Sequence, residues 1–268
     1  MINRHSGIYF SDDSRFLLES RLSERITRLG LGSFDEYYHL LKYYTEAKQE
    51  MDTVIDILTT NETYFFREGY QLRAFTRDIL PELKERLSWR RRLSIWSAGC
   101  SSGEEVYTIA MLLIESKLFN GWDLRVWGND ISSSVIQKAR AGIYSRASFR
   151  STKPESIRRF FTETDEGLRV NDEVRRCCRF IKANLFKRDE LLFVGQMDVI
   201  FCRNVLIYFD NQSKMNAISV FYDRLSPRGY LLLGHTESLI NLSTAFELAH
   251  LSEDLVYRKP EVSYDSKR

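Results

Sequence analysis

The stretch "LSIWSAGCSSGEEVYTIAMLLIES", residues 93–116, decides the fold. A short apolar strand, Leu93 to Trp96, runs into a turn that carries Gly99 and Gly103, and an apolar helix follows from Val106. Strand, glycine turn and helix in that order form the opening unit of a doubly wound α/β sheet. In such a unit the chain passes close beneath a nucleotide-like ligand, and glycine permits the approach. The spacing is G-x-x-x-G, not the dinucleotide pattern G-x-G-x-x-G, so a pyrophosphate is not specified. Glu104 and Glu105 at the helix start would repel a phosphate and suit a cationic or hydroxyl-rich ligand.

Downstream, strands alternate with helices in the manner of a mostly parallel sheet. "LRVWGND" (124–130) reads as the second strand, "RFIKANL" (179–185) as the third, "DVIFCRN" (198–204) as the fourth and "GYLLLGH" (229–235) as the fifth. "SSSVIQKARAG" (132–142) is a Ser-capped helix closed by Gly142, and a further helix is expected over about 212–225. The region from about 146 to 178 breaks the alternation and is expected to form an inserted subdomain with a helix and a small antiparallel hairpin.

Upstream of residue 92 the texture is helical. Leu18, Leu22, Ile26 and Leu29 recur at helical spacing, with Gly30 and Gly32 as a stop. Ser33 and Glu36 make a capping box for the next helix, a third is expected over roughly 47–58, and a fourth over about 68–87 with Pro81 kinking or splitting it. Between them lies "TTNETYFFREGYQ" (59–71), whose Asn61, Thr63, Arg67 and Glu68 crowd around Phe65 and Phe66. Either this is a plain N-capped helix start, or its polar groups face a ligand.

The chain of 268 residues, 43% apolar, can bury a sizeable core. With 39 basic and 37 acidic residues it has no net bias toward nucleic acid. Cys100, Cys177, Cys178 and Cys202 lack metal-ligand spacing and suit a reducing cytosol, so no metal is expected. No secretory leader core and no run of roughly 20 apolar residues is present, which implies a soluble cytoplasmic protein without membrane insertion.

Asp130 ends the second strand, where a carboxylate accepts hydrogen bonds from ribose hydroxyls. A ribose-bearing, cationic ligand without phosphates is S-adenosylmethionine. Helix-capping acids and a turn Asp account for each residue singly, and less well for their joint placement.

"LTTNETYFFRE" (58–68), "WSAGCSSGEEVYTIAM" (96–111), "GNDIS" (128–132), "KARAGIY" (138–144), "ANL" (183–185), "IFCRNVLIYFD" (200–210) and "GHTES" (234–238) together resemble the chemotaxis receptor methyltransferase family, CheR, over nearly the whole chain to "VYRK". The resemblance implies an all-helical N-terminal domain (1–58) and a linker and helix covering the cofactor (59–91). A Rossmann-like methyltransferase domain (92–268) with the inserted antiparallel subdomain would follow. It implies methylation of glutamate side chains on the cytoplasmic helices of chemoreceptors, with S-adenosylmethionine becoming S-adenosylhomocysteine, by a monomer. By motif, Asn61, Thr63, Arg67, Glu105, Asp130, Asn184, Leu185, Arg203 and Asn204 would line the cofactor site, with Arg67 and Tyr208 holding the acceptor carboxylate. Arg21, Arg25 and Arg28, on one face of the first helix, would meet acidic receptor helices. His235 is expected to support the site through a hydrogen bond. Some family members carry a longer, glycine-rich loop that captures a peptide at the receptor's C-terminus, whereas "FFTETDEGLRVND" has only Gly167. A methyltransferase for a small carboxylic acid, or a module that only senses the cofactor, are the competing readings.

Overall fold

The structure, a computed structural model, describes residues 1–44 and 47–261; residues 45–46 and 262–268, the latter at the end of the expected 92–268 domain, lie outside the described residues. The chain begins with α1 (Ile2–Ser6), α2 (Arg15–Arg28), α3 (Phe34–Tyr43) and α4 (Ala47–Leu58). The expected capping box forms at α3: Glu36 N–H donates to Ser33 Oγ (3.1 Å), and the Glu36 carboxylate accepts from Gly32 N–H (2.8 Å). The three longer helices bury Leu22, Ile26, Tyr37, Met51, Val54 and Leu58 against one another.

The expected helix at 68–87 is continuous but not regular. α5 (Gly69–Ala74) passes through a π turn (Phe75–Ile79) into α6 (Leu80–Arg86). Pro81 has no N–H to donate backward and its ring crowds the preceding turn, and the wider π turn just before it absorbs both defects without a break.

The remaining elements are β1 (Arg92–Ala98), α7 (Glu104–Ser116), β2 (Asp123–Asp130), α8 (Ser133–Ala141), β3 (Ile143–Tyr144), α9 (Pro154–Phe160), β4 (Phe161–Thr164), β5 (Gly167–Val170), α10 (Asp172–Arg175), β6 (Cys178–Lys182), β7 (Met197–Cys202), α11 (Asn211–Arg224), β8 (Leu225–Leu233), β9 (Glu247–His250) and β10 (Leu255–Arg258). The main sheet runs β6-β2-β1-β7-β8-β10-β9. The five strands read from sequence are its parallel part; β10 and β9 add an antiparallel edge that the sequence reading did not include. β7 is buried at all six positions, as a central strand covered on both faces must be. Along β1, Leu93 and Ile95 point into one core and Trp96 and Ala98 into the core on the opposite face. The inserted subdomain is a three-stranded antiparallel sheet, β3-β5-β4, in which β4 and β5 meet in a two-residue turn between Thr164 and Gly167.

Candidate active site

The chain builds β1, β2 and β6 in one direction, then crosses to β7 and β8 on the other side of β1. The strand order therefore reverses between β1 and β7, and the carboxyl ends of these two strands open a crevice there. A cleft of about 500 Å³ occupies it. After β1 the chain turns sharply at Gly99, whose φ is +76°; a Cβ there would lie 2.5 Å from Val205, so only glycine lets this turn close against the loop after β7.

Asp130, buried at the end of β2, binds that turn. Its Oδ2 accepts from Ser101 N–H (2.9 Å) and its Oδ1 from Ser132 N–H (2.9 Å). Burial pushes its carboxyl above the ordinary value, against the pull of these amides. Next to it Asn129 joins three elements: Trp96 Nε1 donates to its Oδ1 (2.8 Å), and its Nδ2 donates to the Ala183 carbonyl (2.8 Å). Arg203, its side chain only 3% exposed, donates to Glu105 (3.0 Å), to Glu68 (3.0 Å) and to the Arg67 carbonyl (2.7 Å), while Ser97 donates to the other Glu105 oxygen (2.8 Å). This buried ion group ties β1, α7, β7 and the linker together at the cleft wall.

The linker 59–68 crosses the cleft because both its ends of contact are fixed. Phe65 is fully buried among Tyr144, Phe149 and Phe161 of the inserted region, with ring centroids 4.9–5.0 Å away. Its N–H donates to the Ser148 carbonyl (2.9 Å), and Phe66 N–H donates to Thr108 on α7 (3.2 Å). Ser101 Oγ donates to the Asn61 carbonyl (3.1 Å). Asn61, Thr63 and Arg67 then line the cleft.

The first residues form another wall. Ile8 pairs with Phe209 in an antiparallel bridge, Tyr9 N–H donates to the Tyr208 carbonyl (2.8 Å), and Asn184 Nδ2 donates to the His5 carbonyl (2.6 Å). Ile8 thus belongs to the core of the sheet domain and not to that of the helical domain.

Two family models match this chain: the CheR methyltransferase all-alpha domain over residues 1–59, and the CheR methyltransferase SAM binding domain over residues 61–254. The chain belongs to the CheR methyltransferase family. Chemotaxis protein methyltransferase 2 of Vibrio cholerae is 37% identical over 95% of this chain and 88% of that protein. The chemotaxis protein methyltransferase of Borreliella burgdorferi is 37% identical over 89% of this chain and 86% of its own length, and that of Salmonella typhimurium 35% over 92% and 84%. As a CheR protein it is an S-adenosylmethionine-dependent methyltransferase.

The CheR motif residues Asn61, Thr63, Arg67, Glu105, Asp130, Asn184, Leu185, Arg203, Asn204 and Tyr208 all line the same cleft. Glu104 does not. It is buried toward the inserted subdomain, accepting from Ser102 (2.7 Å) and Ser148 (3.0 Å), and burial raises its carboxyl, so its charge is not offered to a ligand as the sequence reading supposed. His235 is exposed, with its ring edge-on to Tyr70 at 6.3 Å, which differs from the expected hydrogen-bonded support. Nor do Arg21, Arg25 and Arg28 form one free basic row. Arg21 donates to the Leu58 carbonyl (2.8 Å) at the cleft rim, and Arg25 is locked onto buried Glu50 by two bonds of 2.9 and 2.6 Å. Arg28 is exposed with only a one-turn pair to Glu24. The sequence reading missed Ser101, Asn129 and the wall at Ile8–Tyr9; "GNDIS" contained Asn129, but nothing in it marked a side chain that clamps strands.

Proposed function

We propose that this protein transfers the methyl group of S-adenosylmethionine to glutamate side chains on cytoplasmic helices of chemoreceptors, acting as a monomer in the cytoplasm and leaving a glutamate methyl ester and S-adenosylhomocysteine. The convergence of ten motif residues from the linker, the start of α7 and three strand ends on one cleft carries this reading. The cleft has the volume of a small-molecule site. Two buried atoms beside it, Arg203 Nε and Asn204 Oδ1, lack a hydrogen-bond partner among the described residues, as groups that meet a ligand do. Glu105 and Asp130 add the carboxylates that a cationic, ribose-bearing ligand calls for. Bound there, S-adenosylmethionine supplies an electrophilic methyl on a sulfonium.

The acceptor needs no base. A glutamate carboxyl, with an ordinary pKa of about 4.3, is already ionised at neutral pH. No histidine is among the described residues lining the cleft, and burial pushes the Cys100 thiol well up, which leaves it an un-ionised and poor nucleophile. What remains is positioning: the Arg67 guanidinium pairs the carboxylate in a fork, Tyr208 orients it through its hydroxyl, and alignment supplies the rate. Tyr208 is 37% exposed and Tyr9 56% exposed at the mouth, which favours a side chain presented by a macromolecule over a small acid enclosed by the site. Among the described residues no helix is long and apolar enough to cross a membrane. The test is transfer of labelled methyl to receptor cytoplasmic fragments followed by alkali. Alkali-labile label on glutamate is expected; absence of transfer, or label that survives alkali, would overturn the proposal.

A further inference from the structure

Glu237, in the loop after β8, does not line the cleft, yet its carboxylate is the most heavily engaged acceptor near it. Oε2 accepts from Gly234 N–H (2.8 Å) and Asn204 N–H (2.8 Å), and Oε1 accepts from Val205 N–H (2.9 Å) and Ile207 N–H (3.2 Å). Three of those donors belong to the segment after β7 that carries Arg203, Asn204 and Tyr208 into the cleft. That segment is neither strand nor helix at Asn204, whose φ of +58° is unusual for a residue with a side chain. Backbone amides in such a turn have no ladder to satisfy them, and one anion satisfies three at once. A Cβ at Gly234 would lie 2.8 Å from both Asn204 N and Glu237 Oε2, so residue 234 must be bare for the carboxylate to reach.

From these contacts we infer that Glu237 is a positioning residue for methyl transfer: it holds the Asn204–Tyr208 turn so that Asn204 faces the cofactor and Tyr208 faces the acceptor carboxylate. This rests on the reading of the cleft given above. Glutamine at 237 keeps the shape but has one acceptor oxygen, and its NH2 would confront two amide donors. Two of the four backbone bonds, at least one of them to the turn, are then lost without losing a side chain.

The experiment is a double-mutant cycle in the full chain. Single-turnover methyl transfer to receptor fragments at saturating cofactor, and S-adenosylhomocysteine affinity by calorimetry, are measured for Glu237→Gln alone and in Tyr208→Phe and Asn204→Ala backgrounds. Glu237→Gln is expected to slow transfer at least tenfold and to weaken S-adenosylhomocysteine binding, with each loss largely absent where its target residue is already changed, because groups acting through one another are not additive. A rate and an affinity within twofold of wild type, or equal fold losses in all backgrounds, would overturn the inference. Tyr208→Phe at wild-type rate would instead sink the role given to Tyr208, and the calorimetric cycle with Asn204→Ala then decides Glu237 alone. Should Glu237→Gln not fold, Glu237→Asp, which keeps both oxygens and shortens their reach, carries the same cycle.

Discussion

Arg67 reaches the cleft with one hydrogen bond, 3.0 Å, to the Glu62 carbonyl and its Nε 4.0 Å from the Glu68 carboxylate, which leaves most of its donors for the carboxylate fork proposed above. On that proposal, loss of Arg67 removes both charge and orientation. Arg67→Ala is therefore expected to lower single-turnover transfer at saturating cofactor by roughly a hundredfold or more, since hydrogen bonds to charged groups are worth about 1.5–3 kcal/mol each. Tyr208→Phe should slow it less, and His235→Gln should leave it near wild type. All three profiles should be flat from about pH 6 to 9, because no protein base titrates in the step. A rate that falls tenfold per unit below about pH 6.5, and is lost in the His235 variant, would mean that a histidine acts as base. The cleft-lining positions of Arg67, Asp130 and Asn204 were legible in the sequence because each stands in a recognisable motif, Arg67 in the linker and Asp130 and Asn204 at strand ends. Glu237, Ser101 and Asn129 were not, because each acts on backbone groups of distant segments, and those groups become neighbours only in the folded chain.

The linker shows the same division one level up. Its polar residues hinted at a ligand, but its path depends on Phe65, sealed by three aromatic rings that come from residues 144 to 161. Two non-glycine residues just after it take left-handed conformations, Phe66 at φ +60° and Glu68 at φ +54°, and only firm anchoring keeps such a segment in place. Phe65→Ala should cost about 3–5 kcal/mol in chemical denaturation and weaken cofactor binding in parallel; unchanged cofactor affinity in the folded variant would uncouple the anchor from the cleft. The edge strands β9 and β10 escaped the sequence reading for a different reason. β9 is exposed at three of its four positions, so no apolar alternation marks it. In the helical domain, Arg25 holds Glu50 below its ordinary pKa. A lowered carboxyl contributes stability above its unfolded value, about 4.3, and forfeits it as pH falls through the lower folded one. Urea titrations of wild type and Glu50→Gln should therefore differ by about 1.5–3 kcal/mol at pH 7, with the gap narrowing as pH falls below the unfolded value; a gap that stays constant would refute the pairing.

At the scale of the whole molecule, Arg25 is locked onto buried Glu50 while Arg28 is exposed on α2, so a receptor contact on this helix would fall to Arg28 and stability to Arg25. Arg28→Glu is expected to lower methylation of receptor fragments, most at low salt, and to leave cofactor binding and thermal midpoint unchanged. Arg25→Glu should lower the midpoint first, because it places an acid against buried Glu50. Equal receptor methylation by Arg28→Glu and wild type at low salt would leave α2 out of recognition. The wall made by the first residues carries a consequence in time. Asn3 and its partner Asp210 are 207 residues apart, and His5 and Asn184 are 179 apart. A ribosome adding 5–20 residues per second needs on the order of 10–40 s to cover that separation. The helical core of α2, α3 and α4 has all its parts within the first 58 residues, whereas the late partners of residues 3–9 exist only once β7 and the turn beyond it have emerged. Ribosome-stalled chains ending before residue 200 should accordingly show protease-sensitive residues 3–9 beside a protected helical core. The cleft wall made by residues 3–9 thus closes only after partners 179 to 207 residues downstream have been made.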